Sequence, residues 1–196
     1  MSKTRLEAFS DGVIAILITI MVLELKQPHG DDLHALAALA PVFCAYVLSF
    51  VFLGIYWNNH HHMLHATTHI NGKILWLNLH LLFWLSLVPF TTAWIGETHL
   101  ARLPTAVYGI DMLLAAVAYT LLQNGIIADQ GEGSKLAAAV GSDVKGKISG
   151  ALYAVGIAIA FYEPPISAAL YVVVAIIWFI PDRRIERKLH NHDQNG

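Results

Sequence analysis

Long apolar runs broken by short polar punctuation dominate the chain. A bilayer hydrocarbon core of about 30 Å needs roughly 20 mostly apolar residues per helix. Six runs approach or meet this, at 9–26, 36–57, 74–95, 104–126, 148–163 and 165–181. The predicted fold is all-α: a polytopic membrane protein of six transmembrane helices in a single domain over 1–196, with a charged tail at 182–196. Gln27-Pro28-His29-Gly30-Asp31 makes a turn after the first span, Pro104 suits a first helical turn, and Glu163-Pro164-Pro165 leaves room only for a tight turn between the last two. Pro41 and Pro89 fall inside spans 2 and 3, and each predicts a kink. Span 5 is short, and its Gly150 and Gly156 either weaken the helix or let another approach closely. Residues 129–147 read as a loop with a short helix, and no internal repeat is found.

Composition agrees with this class. Of 196 residues 56% are hydrophobic and 13% charged, and mean hydropathy is +0.56, outside the range of soluble domains. Net charge near zero argues against a nucleic-acid partner. The lone Cys44 lies inside span 2 and reads as a small core residue. Ser10-Asp11 interrupts the first apolar run and no small-residue cleavage site follows, so a signal peptide is not expected. An even number of spans puts both termini on one side, together with Lys3, Arg5, Lys73, Lys135, Lys145, Lys147, Arg183, Arg184, Arg187 and Lys188. Only Lys26 and Arg102 lie on the other. This asymmetry predicts cytoplasmic termini and a multi-pass protein of the cell membrane.

Candidate chemistry concentrates in span 1. At 100° per residue, Gly12, Ile16, Thr19, Ile20 and Leu23 form one stripe, apolar but for a single hydroxyl, while Asp11 points well away from it. An ionised carboxylate at the mouth of an apolar span costs several kcal/mol unless paired, on the order of the intramembrane penalty for Asp. The stripe has two readings. It packs against lipid or another helix, or its symmetry copies surround an axis and form a hydrophobic constriction that gates ions by dewetting. Thr19 has two as well: an oxygen ligand, or a hydroxyl bonded to its own preceding carbonyl.

Other polar residues fall within the spans or, for a group of histidines, in the predicted cytoplasmic loop between spans 2 and 3. Asp111, two turns into span 4, is either paired with a neighbouring span or part of a proton relay. His60, His61, His62, His65 and His69 carry i, i+4 spacings that suit a metal or pH sensor, although no Cys or carboxylate ligand accompanies them in sequence. Trp57, Trp76, Trp94 and Trp178 sit near span ends as interfacial anchors, while Trp84 is mid-span and needs an indole partner within the protein.

The opening Arg5-x-x-x-Phe9-Ser10-Asp11 resembles the signature of the TMEM175 family of potassium-permeable channels. The likeness continues through Trp57-x-x-His60, Leu75-Trp76-Leu77-Asn78-Leu79 and Pro89-Phe90-Thr91, in order, over about the first half of the chain. The resemblance implies a six-span subunit of the single-repeat prokaryotic type, a homotetramer in the lipid bilayer, and helix 1 lining a central pore with Ile16 at its tightest point. It implies further pore-facing residues near Thr19 and Leu23, on the stripe that phase already finds.

The chain has no Thr-Val-Gly-Tyr-Gly segment, so selectivity would come from constriction diameter and threonine oxygens, with K⁺ favoured over Na⁺ through its lower dehydration cost. The expected protein is therefore no enzyme, carries no cofactor or bound metal, takes no small-molecule substrate, and passes K⁺. Arg5, Ser10 and Asp11 read as a polar lock that holds helix 1, with Asn78, His80 and Trp84 of span 3 as its expected partners. If helix 1 runs unbroken back to Arg5, that residue phases onto the stripe instead. Alternative readings are a histidine-dependent metal or proton transporter and a non-conducting accessory subunit.

Overall fold

The computed structural model describes residues 2–179. They form eight helices: α1 Lys3–Leu23, α2 Leu33–Ala37, α3 Ala40–His65, α4 Gly72–Glu97, α5 Arg102–Gln130, α6 Lys135–Val140, α7 Val144–Ile159 and α8 Pro164–Phe179. Four of them, α1, α3, α4 and α5, are long and apolar enough to cross a membrane. The chain is thus an all-α membrane protein of four long helices with shorter ones. At 16 residues each, α7 and α8 reach only about 24 Å at 1.5 Å per residue. The expected tail at 182–196 and the last two residues of span 6 lie outside the described residues.

Several expected boundaries move, each for a local reason. The apolar run predicts span 1 at 9–26, but α1 starts at Lys3, where the Ser2 hydroxyl accepts from the Arg5 amide. The Lys3 ammonium donates to His65 O at 2.8 Å, where a cation meets the negative end of α3. Span 2, expected unbroken over 36–57 with a kink at Pro41, is instead split into α2 and α3. Carrying a helix through Pro41 would lose one backbone bond and drive the ring against the preceding turn. The chain breaks at 38–39 and restarts with Pro41 in the first turn of α3. That helix then continues to His65, so His60, His61, His62 and His65 are helical and not in a loop. Pro89 lies within an uninterrupted α4. Cys44, expected in the core, is exposed on α3.

Packing centres on α4, which meets α1, α3 and α5; α5 in turn meets α7 and α8. Helix α1 touches only α3 and α4 among the substantial contacts, burying Leu6, Ser10, Ile14, Leu17 and Met21 along one edge. In a bilayer such contacts gain by close fit and hydrogen bonding, because lipid tails are as apolar as leucine. Small residues serve that fit between α5, α7 and α8. A Cβ on Gly156 would come within 2.6 Å of the Tyr171 ring, and one on Gly109 would collide with the Tyr171 hydroxyl. Tyr171 is fully buried and donates to Thr105 O at 3.2 Å, while Ser167 donates to Gly156 O at 2.7 Å. On the opposite side from the chain's start, Lys26 and Glu97 form an exposed ion pair. The Glu97 carboxylate, by hydrogen bond and charge, holds the Lys26 ammonium above its usual range.

Gly109→Val should destabilise the protein by about 2 kcal/mol, the usual range for overpacking a filled site. Gly54→Ala, where a Cβ meets nothing within 4 Å, should not. Thermal unfolding of the two detergent-solubilised variants against the parent checks the contrast.

Candidate functional site

Helix α1 carries two faces of opposite character. Its buried edge repeats at Leu6, Ser10, Ile14, Leu17 and Met21, which at 100° per residue is a single stripe. On the other side Gly12, Ile16, Thr19, Ile20 and Leu23 are all exposed within the subunit, Ile16 by 57% and Leu23 by 81%. A Cβ added at Gly12 would meet nothing. Because α1 begins at Lys3, Arg5 and Phe9 lie on this exposed side too. The guanidinium of Arg5 has no partner among the described residues.

A directional chain of hydrogen bonds sets the rotation of α1. The Ser10 hydroxyl donates to Leu6 O at 2.9 Å and accepts from Asn78 Nδ2 at 3.0 Å. Asn78 Oδ1 lies 2.7 Å from His60 Nε2. Since Oδ1 can only accept, the proton sits on His60 Nε2, an assignment made from the network. Ser10 and Asn78 are fully buried and His60 nearly so, so α1, α3 and α4 are joined where no water competes. One turn's edge away, Asp11 Oδ1 accepts from Trp57 Nε1 at 3.0 Å.

Of the expected partners, Asn78 therefore bonds Ser10, while His80 and Trp84 do not reach α1. The Trp84 indole donates to His80 Nε2 at 3.0 Å within α4 itself, and His80 is exposed. The donor to Asp11 is Trp57, read from sequence only as an interfacial anchor. Its signal was available in Trp57-x-x-His60, because i, i+3 spacing places both side chains on neighbouring parts of one helix surface.

Thr19 donates to Ile16 O at 2.8 Å. This back-bond uses the hydroxyl proton and leaves the oxygen lone pairs free on the exposed side.

The histidines separate. His60 belongs to the Asn78 chain; His61 stacks between Trp57 and His65 with ring centroids 6.2 Å from each. His69 lies 2.7 Å from Asp129. Among the described residues no three metal-binding side chains converge. Asp111 is 3% exposed and accepts from Thr91 of α4 at 3.1 Å through Oδ2. Its Oδ1 has no hydrogen-bond partner among the described residues.

Comparison with known proteins bears on family and fold. The family described as "Endosomal/lysosomal potassium channel TMEM175" matches residues 5–89, a stretch that contains α1 from Arg5 onward, the Ser10–Asn78–His60 chain and both members of the Asp11–Trp57 pair. A potassium channel of Chryseobacterium sp. is 55% identical over 96% of this chain and 98% of its own length. The chain belongs to the TMEM175 family. A second relative, a potassium channel of Streptomyces collinus, is 31% identical over 89% of this chain and 90% of its own. The fold is TMEM175-like: the crystal structure of a lysosomal potassium-selective channel TMEM175 homolog from Chamaesiphon minutus superposes with a TM-score of 0.79. It shares 29% identity and covers 91% of this chain and 96% of that one. Family membership makes this a multi-pass membrane protein and not an enzyme.

Replacing Asn78 by Leu leaves the His60 donor unsatisfied and removes a donor to Ser10, a loss of about 1–3 kcal/mol for each buried orphan. The double variant Asn78→Leu with His60→Leu should lose less than the sum of the two single variants. Thermal unfolding of all four proteins measures this coupling, and strict additivity would show that the two side chains do not act together.

Proposed function

We propose that the protein is a potassium-permeable cation channel of the cell membrane, with four copies arranged around a pore lined by α1. The observation that carries this reading is the exposed aliphatic face of α1, held outward by hydrogen bonds on its opposite side. Lipid alone would accept such a face. What favours an axis is membership of a family in which the Chryseobacterium and Streptomyces relatives are named potassium channels, and the coincidence of Ile16, where the family resemblance puts the constriction, with the middle of that face.

In this reading four Ile16 side chains set a narrow dewetting barrier. Thr19, one turn further on, presents oxygen lone pairs because its proton is spent on Ile16 O. A partly dehydrated cation meets four such oxygens, and K⁺ passes more readily than Na⁺ because it sheds water at lower cost. Ile20 and Leu23 continue the wall, Gly12 widens it, and Phe9 and Arg5 stand at its cytoplasmic end. The polar chain through Ser10, Asn78 and His60 and the Asp11–Trp57 bond are the anchor that keeps α1 in register. No cofactor is needed, and the free energy source is the electrochemical gradient.

Helices α7 and α8 complete six spans, crossing as an antiparallel hairpin; thinning of the adjacent bilayer accommodates their short length. Six spans put both termini on the cytoplasmic side with the excess of Lys and Arg.

In reconstituted liposomes the protein should pass K⁺ without ATP. Ile16→Asn should raise conductance and lower the K⁺/Na⁺ ratio, each 1.4 kcal/mol or so removed from the barrier giving about tenfold; unchanged current would take Ile16 out of the pore. Thr19→Val, which keeps the shape and loses the oxygen, should reduce selectivity more than conductance. Asp11→Ala should lower the yield of tetramer, read by native mass spectrometry, more than it changes selectivity in the channels that form.

A further inference from the structure

A second feature lies apart from α1, in the half of the bundle built by α3, α5, α7 and α8. A cavity of about 210 Å³ opens between them, where an apolar cavity of about 150 Å³ already holds a benzene-sized guest. Its deeper wall is aromatic and aliphatic, with Phe52, Tyr56, Leu113 and Tyr153. Its other end gathers Asn59, Tyr119, Gln123 and Asp143, close to the end of α5 and the start of α7. The cavity is therefore amphipathic along its length. Beside Gly150 of α7 the space is open, since a Cβ there would meet nothing within 4 Å.

At the polar end several donors are already engaged within the protein. Asn59 Nδ2 donates to Ile55 O at 2.8 Å, the Tyr119 hydroxyl to Asn59 O at 3.3 Å, Thr120 to Ala116 O at 3.0 Å and the Trp178 indole to Ser149 Oγ at 2.8 Å. Two acceptors also line this space, the Asn59 side-chain oxygen and the Asp143 carboxylate, the latter the one charged group among the described lining residues. Gln123 is 8% exposed, lines the cavity and makes no hydrogen bond to any described residue. Its amide atoms are not sealed off from the cavity, so a guest lying there reaches and bonds them. The N-terminus of α7 would by itself attract an anion, but Asp143 already occupies it, accepting from the Gly146 amide at 3.1 Å.

We propose that this cavity binds a small hydrophobic amine in its protonated form. The apolar body lies against Phe52, Tyr56 and Tyr153, and the ammonium donates to Asp143 and the Gln123 amide oxygen with Tyr119 beside it. A cation is further favoured by the ring faces around it. The site is separate from α1, and its occupancy does not depend on conduction.

Trp178 lines the cavity and reports on it. The test uses para-bromobenzylamine as a heavy-atom quencher, with para-bromobenzyl alcohol and para-bromobenzoate as neutral and anionic counterparts of the same body. The Trp178 signal is the difference between the parent and Trp178→Phe, each reconstituted in the same vesicles. The amine should quench it saturably and at least tenfold more tightly than the alcohol, with benzoate weakest. Gly150→Leu, which fills the space, should abolish saturation. Asp143→Asn keeps a capping side chain that tolerates the positive φ of 44°, and should bring the amine down to the alcohol's affinity while leaving the alcohol unchanged. Linear, head-independent quenching that survives Gly150→Leu would mean simple partition into lipid and overturn the site. Saturable binding untouched by Asp143→Asn would overturn the ammonium assignment.

Discussion

A polar group inside a membrane bundle has no water to turn to, and the structure of this chain follows from where its buried polar side chains find partners. Ser10, Asn78 and His60 solve the problem jointly, each donor meeting one acceptor across three helices. With Ser10 committed to that chain, α1 has one available rotation. Leu6, Ile14, Leu17 and Met21 then pack inward, and the face of Gly12, Ile16, Thr19, Ile20 and Leu23 is turned away from the rest of the subunit. Apolar packing could not impose this choice, because both faces of α1 are aliphatic and lipid accepts either.

The same logic recurs deeper in the bundle. Ser49 of α3 stands 3.0 Å from the Tyr108 hydroxyl of α5 and 2.6 Å from Thr92 of α4, and Thr91 reaches Asp111. Of these two polar layers the first thus ties α1, α3 and α4, and the second ties α3, α4 and α5. Toward α7 and α8 the contact is made differently, by glycines that admit the Tyr171 ring and by single bonds such as Trp178 to Ser149. The amphipathic cavity lies at that joint. The proposed pore face and the proposed amine site accordingly sit on opposite sides of the α3–α4–α5 core, and each can be altered without entering the other.

How far the sequence reads ahead depends on the kind of signal. Apolar run length identifies the four long helices, and the period of 3.6 puts Gly12, Ile16, Thr19, Ile20 and Leu23 on one face. Span ends are harder. The start of α1 at Lys3 rests on a Ser2 cap, and the split before α3 rests on Pro41 acting as a first-turn residue, a choice that composition leaves open. Asp111 was visible as an intramembrane carboxylate, but its Thr91 partner comes from another helix.

What the amino-acid sequence by itself determined is the all-α membrane class, the turning of Asp11 away from the Gly12-to-Leu23 stripe of α1, and membership of the family through the Arg5-to-Asp11 motif and its companions. These are local or one-dimensional properties, set by residue identity and spacing. Only the tertiary structure decided that Trp57 and not Trp84 donates to Asp11, that His60 is spent on Asn78 and unavailable to its neighbouring histidines, and that Gln123 and Asp143 meet across an open space. Each of those depends on the rotation and offset of one helix against another. Many donors on different helices could satisfy a given acceptor, and the packing of all of them together selects one.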